Sequence, residues 1–134
     1  MSFAPYIHFQ GNCREAMTFY AEVFGGTLEI MTFADAPAGS GMPASNRVMH
    51  ATLTTPQGPL MASDFPESME GEPQKAVSIS RFEPDVETGR KTFDRLAEGG
   101  VMIMPYGETF FSPGFGMVQD RFGTHWMVMS QPPR

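Results

Sequence analysis

The chain contains two copies of one pattern. Thr18-Phe19 is followed by Gly25-Gly26, and Thr92-Phe93 by Gly99-Gly100 at the same spacing, 74 residues further on. An internal repeat constrains the fold more tightly than any local propensity, since both copies must form the same supersecondary unit. A second correspondence lies at an offset of 65 residues: Thr55-Pro56-Gln57-Gly58 leads into Leu60 to Ser63, and Asp120-Arg121-Phe122-Gly123 into His125 to Val128. Both tetrapeptides suit a turn, with Pro second or Asp first and Gly fourth. The first copy therefore carries nine more residues before its turn, and the small, Pro- and Gly-rich run from Asp35 to Ser45 accommodates them as a mobile loop.

Each copy reads as a strand, a helix and three strands. In the first, Ala4 to Phe9 is a strand. Asn12-Cys13-Arg14-Glu15 has the form of a capping box, and Ala16, Phe19, Tyr20, Val23 and Phe24 make one apolar helix face stopped by Gly25-Gly26. Strands follow at Thr27 to Phe33, Arg47 to Thr54 and Pro59 to Asp64. The second copy opens with a strand from Ala76 to Phe82 and a helix from Asp85, as N-cap, to Gly99-Gly100. It closes with strands Val101 to Met104, Phe115 to Gln119 and Thr124 to Ser130. The expected fold is a single α+β domain over residues 1–134, with a βαβββ module at 1–65, an acidic, proline-broken linker at 66–74 and a second module at 75–134.

Composition narrows the function classes. No run approaches the roughly 18 apolar residues of a membrane helix, and the N-terminal residues lack a signal peptide's basic and apolar regions, so a cytoplasmic location is expected. The formal charge is -6 and the nine basic residues are scattered, which argues against nucleic acid and anionic membranes as partners. Cys13 is the only cysteine and cannot form an intramolecular disulfide. It lies at a helix N-terminus, where the dipole lowers a thiol pKa, but no His is near it in sequence and an inert packed thiol is expected. Twelve Met and twelve Phe suggest a soft interior able to shape itself around a ligand.

Paired βαβββ modules resemble the vicinal oxygen chelate superfamily of glyoxalase I, extradiol dioxygenases, fosfomycin-resistance enzymes and bleomycin-binding proteins, and within it the PhnB-like branch. The likeness rests on Gly11-Asn12-Cys13-Arg14-Glu15-Ala16, Phe19-Tyr20, Phe24-Gly25-Gly26, Val48-Met49-His50-Ala51, Ser63-Asp64, Phe115-Gly116 and Asp120-x-Phe122-Gly123-x-x-Trp126-Met127. It implies a glyoxalase-like half-barrel, a small-molecule ligand and a homodimer. PhnB-like sequences often carry a 3-demethylubiquinone methyltransferase label. Methyl transfer is not expected here, because no Gly-rich loop follows a strand in an alternating α/β pattern.

The resemblance also implies a divalent metal held by His or Glu on the first and last strands of each module. Counting from the shared motifs puts those places at about Pro5, Ala62 and Met127, and the strand Ala76 to Phe82 has no His, Glu, Asp or Cys in any register. Such residues are poor ligands for a hard or borderline ion. No metal and no cofactor are therefore expected at the glyoxalase positions, although a register slip would turn His8 or His125 inward. One rival reading is a metal-dependent lyase, isomerase or dioxygenase with a relocated site drawn from His8, His50, Asp64 or Glu108. Another is a drug-sequestering protein of the bleomycin-binding kind.

Single residues carry two readings each. His50 and Asp64 flank the Thr55 to Gly58 turn; an odd-length loop would oppose them as a general-base pair, and an even one would put them on opposite faces. They are the candidate catalytic residues, against a structural polar pair. Asp120 reads as a turn cap and Trp126 as a side chain packed under a helix. Arg81 either enters the cup, to hold an anionic group, or faces the helix. The segment Tyr106 to Gly114 is the candidate lid. Ile7, Phe9, Ala62, Arg81, Phe110, Phe111 and Met127 are the candidate ligand-lining residues.

Overall fold

A computed structural model describes residues 3–37, 39, 41, 45–69 and 71–131. Its contacts divide the chain into two compact units, Met1–Pro73 and Gln74–Arg134.

The first unit holds β1 (Tyr6–Phe9), α1 (Cys13–Phe24), β2 (Thr27–Thr32), a 3-10 turn (Phe33–Asp35), β3 (Val48–Thr55) and β4 (Gly58–Asp64). Its sheet runs β1-β4-β3-β2, with β1 parallel to β4 and the other pairs antiparallel. The second unit repeats this as β5 (Ser78–Glu83), α2 (Val86–Ala97), β6 (Val101–Gly107), β7 (Gly114–Gln119) and β8 (His125–Ser130), in the order β5-β8-β7-β6. Both copies are thus βαβββ, an α+β architecture with a helix packed on one side of each four-stranded sheet. No helix among the described residues is long and apolar enough to cross a membrane. In the loop expected at Asp35 to Ser45, residues 38, 40 and 42–44 lie outside the described part.

The double glycines have a shared cause. A Cβ on Gly26 would collide with the Thr54 carbonyl, and one on Gly100 with the Gln119 carbonyl, so each helix exit passes directly against its own sheet.

One of the two helix starts differs from expectation. Asp85 caps α2 as read, accepting from Thr88 N–H at 2.7 Å. The Asn12 side chain makes no capping bond. The start of α1 is instead held by Asp64, one strand end away in space and far along the chain.

The two hairpins also differ. Thr55 pairs with Gly58, leaving a two-residue loop, whereas Gln119 pairs with His125 across five residues. Burial shows that Ala62 and Val128, both 0% exposed, occupy equivalent helix-side positions. The second hairpin therefore holds one more residue than an offset of 65 allows. A one-residue slip reverses the face of every side chain beyond it.

Candidate functional site

In the first unit, pairing register separates the sheet's two faces. Ile7, Phe9, Ala51, Leu53, Leu60 and Ala62 are buried on the side that carries α1. Ile7, Phe9 and Ala62, expected to line a ligand, are thus core residues at 5%, 3% and 0% exposure. The opposite face presents two rows across β1-β4-β3-β2: Tyr6, Met61, Thr52 and Glu29, then His8, Ser63, His50 and Met31.

His50 is the centre of that face. Its Nδ1 lies 3.2 Å from the Tyr6 hydroxyl and its Nε2 2.9 Å from Thr52 Oγ1. In neutral imidazole one nitrogen donates and the other accepts, so the two hydroxyls and the ring form a continuous chain along which a proton can shift. Tyr6 is its outer end, at 41% exposure. The Tyr6 ring lies 5.7 Å from His50 and 5.0 Å from His8, and His8 stacks on Phe65 at 5.0 Å with its Nδ1 3.4 Å from Ser63 Oγ. This is a line of rings along β1 with hydroxyls between them. Tyr6 and Thr52 were not among the expected site residues. Their signal is the alternation Tyr6-x-His8 and His50-x-Thr52, which places each pair on one strand face.

Asp64 is not His50's partner. The two-residue loop puts it on the helix side, where Oδ1 accepts from Gly11 N–H at 2.8 Å and Cys13 N–H at 3.0 Å, and Oδ2 from Val48 N–H at 2.9 Å. With three backbone donors converging on it at 3% exposure, it anchors the helix start to β3 and β4. Cys13 is fully buried beside it. Burial, then the Asp64 charge, push its thiol up to about 12, only partly offset by Arg14. A thiol reagent at pH 8 should label native protein at least about a hundredfold more slowly than unfolded protein. Equal rates in a stopped-flow assay would mean that the α1 start opens freely.

The second unit places the remaining candidates. Arg81 faces the helix side, its Nε donating to buried Glu83 at 2.8 Å, while Glu83 accepts from Thr92 Oγ1 at 2.5 Å. It therefore holds no ligand in a cup. Met127 lies on the face away from α2, with Ser80 and Met117 as its cross-strand neighbours. Phe111 packs edge-on against Phe115, and Phe110 is fully exposed at the tip of a turn closed by Thr109 N–H donating to the Ser112 carbonyl. The expected lid is narrower than Tyr106 to Gly114, because the Tyr106 ring is buried, donates to the Val86 carbonyl and hydrogen-bonds Ser130. Asp120 accepts from Phe122 N–H, Thr124 N–H and the Trp126 indole N–H at 2.9, 3.1 and 2.8 Å, the turn cap read from its sequence. Glu108 is exposed.

Among the described residues, no three of His, Cys, Asp and Glu come together as a group able to hold a metal. His8 and His50 share a face, but Asp64 lies on the other side of the sheet.

Comparison with known proteins agrees with this architecture. The chain is 31% identical to protein YjdN of Escherichia coli K12 over 144 aligned positions, covering 96% of this chain and 94% of YjdN. The crystal structure of PA1353 from Pseudomonas aeruginosa superposes with a TM-score of 0.89 at 42% identity, covering 98% of both chains. The PhnB protein of Bacillus cereus gives 0.72 at 26%, covering 98% of this chain and 100% of that one. A member of the glyoxalase/bleomycin resistance/dioxygenase superfamily from Sphaerobacter thermophilus shares the fold at 0.57 and 14%, with 98% of each chain covered. Residues 1–129 match the family described as 3-demethylubiquinone-9 3-methyltransferase. The chain belongs to that family.

Proposed function

We propose that the chain binds a small organic molecule against the exposed face of the first sheet, where Tyr6, His50 and Thr52 hydrogen-bond it and move a proton to or from it. The observation that carries this reading is the hydroxyl–imidazole–hydroxyl chain, with the phenol at its exposed end. A side-chain chain of this kind lets the group touching the ligand differ from the group that stores the proton. Tyr6 is read as the contact, His50 as the proton store and Thr52 as the group that holds the imidazole ring in place.

The reading includes no divalent ion at the glyoxalase positions. The exposed-face residues on the first and last strands are Tyr6, His8, Met61 and Ser63 in one unit and Ser78, Ser80, Phe82, His125, Met127 and Met129 in the other. Each unit offers one imidazole among them, His8 and His125, with no carboxylate beside either, a donor set that does not fit a borderline divalent ion. It also includes no methyl transfer, despite the family's name. The amides of the β1-to-α1 turn, which could otherwise hold a cofactor's carboxylate, already bind the Asp64 carboxylate. A homodimer is part of the reading, with Val101, Met102 and Ile103 of edge strand β6, all 48–60% exposed, covered by a second copy. Light scattering should then give twice the monomer mass, falling to the monomer value in Ile103→Lys.

A panel of small hydroxy and carbonyl compounds, followed by the histidine and tyrosine ring signals in NMR, tests the site. Binders are expected to shift Tyr6 and His50 together, and Tyr6→Phe to weaken them about tenfold while the melting temperature holds. Carbonyl compounds that bind should exchange an α-proton in deuterated water, and His50→Ala should abolish that exchange. Binding that leaves both rings unmoved would overturn the assignment.

A further inference from the structure

We infer that the exposed face of the second sheet is a binding site for a soft monovalent cation, Cu(I) or Ag(I), built from Met104, Met117, Met127 and His125. Register makes the three thioethers neighbours. Met104 pairs with Met117 across β6 and β7, and Met117 with Met127 across β7 and β8. Directly paired side chains have Cβ atoms about 4.5–5.5 Å apart, and methionine's unbranched stem lets the outer two sulfurs lean over the central one. A row of this kind sits where the first unit has Thr52 and Met61, so it is a feature of one copy and not a demand of the fold.

A second observation points the same way. His125 lies two residues before Met127 on the same strand face, and its Nδ1 is buried with no hydrogen-bond partner. A buried imidazole nitrogen normally has a partner, and one without it, in the neutral tautomer protonated on Nε2, offers its lone pair to an ion. Charge selects the ion. The other residues of this face, Ser78, Ser80, Phe82, Phe115, Gln119 and Met129, include no carboxylate, so a divalent ion would keep its full charge uncompensated among neutral ligands. Thioether sulfur with one imidazole prefers a soft, singly charged ion, and a single imidazole without thiolate or carboxylate does not make a Zn, Mg or Mn site.

The test is an Ag(I) titration of the Cys13→Ala chain, which removes the one competing thiol, with methyl-labelled methionines followed by NMR. The methyl signals of Met104, Met117 and Met127 should shift together and saturate at one equivalent. Met117→Leu, which keeps the volume, should weaken binding at least about a hundredfold, and His125→Phe about tenfold, with melting temperatures confirming that each variant is folded. Anaerobic Cu(I) should reproduce the pattern. Overturning outcomes are shifts spread over all exposed methionines without saturation, no shift at all, or Zn(II) moving the same three signals as strongly as Ag(I).

Discussion

Asp64→Asn is expected to lower stability by about 3–5 kcal/mol, the largest effect of any single polar substitution in the first unit. The carboxylate accepts three backbone N–H groups, two of them in buried bonds. An amide has the same shape but turns an NH2 group toward either Val48 N–H or the helix start, setting donor against donor. A buried donor left without an acceptor costs about 1–3 kcal/mol, and a bond to a charged acceptor is stronger than a neutral one. In thermal unfolding this is a fall of roughly 10–20 °C. Urea unfolding of Asp64→Asn and His50→Ala, run side by side, separates the two roles. A pair acting together in catalysis would leave stability nearly unchanged in both. Anchoring by Asp64 predicts a large loss in one and a small one in the other, and a loss below about 1 kcal/mol for Asp64→Asn would refute it.

Asp120→Ala should cost about 2–4 kcal/mol in the second unit. The substitution leaves Phe122 N–H, Thr124 N–H and the buried Trp126 indole without this acceptor, in a turn that needs it to join β7 and β8. Trp126 is the chain's only tryptophan, so its fluorescence reports this unit alone. Emission of the folded variant should move to longer wavelength as water reaches the indole, and the fluorescence-detected midpoint should fall. An unchanged midpoint would mean that the turn is held by its backbone and not by the carboxylate.

The repeat was the most legible feature, because Gly26 and Gly100 meet the same steric demand in both copies and cannot drift. Helix positions followed from apolar spacing, and the Asp85 cap from its position directly before the second stripe. The α1 cap was not legible, since the group that satisfies Gly11 and Cys13 comes from Asp64, and local sequence carries no record of a partner so distant. Face assignment failed for a related reason. Alternation says which residues share a side but not which side is buried, and the extra residue in the Asp120 to Thr124 loop broke the count between copies. Ala62 and Met127 looked equivalent and lie on opposite faces. The even Pro56-Gln57 loop, which separates His50 from Asp64, was one of two lengths the sequence allowed.

The unequal hairpins have a use at the bench. With the extra residue counted, Tyr6, His50 and Thr52 correspond to Ser80, Phe115 and Met117. The second half therefore lacks the phenol–imidazole–hydroxyl set of the first at the matching positions of the same βαβββ unit. Transplanting the phenol, imidazole and hydroxyl as Ser80→Tyr, Phe115→His and Met117→Thr asks whether three side chains are sufficient for ligand capture, a question that deletion in the first half cannot answer.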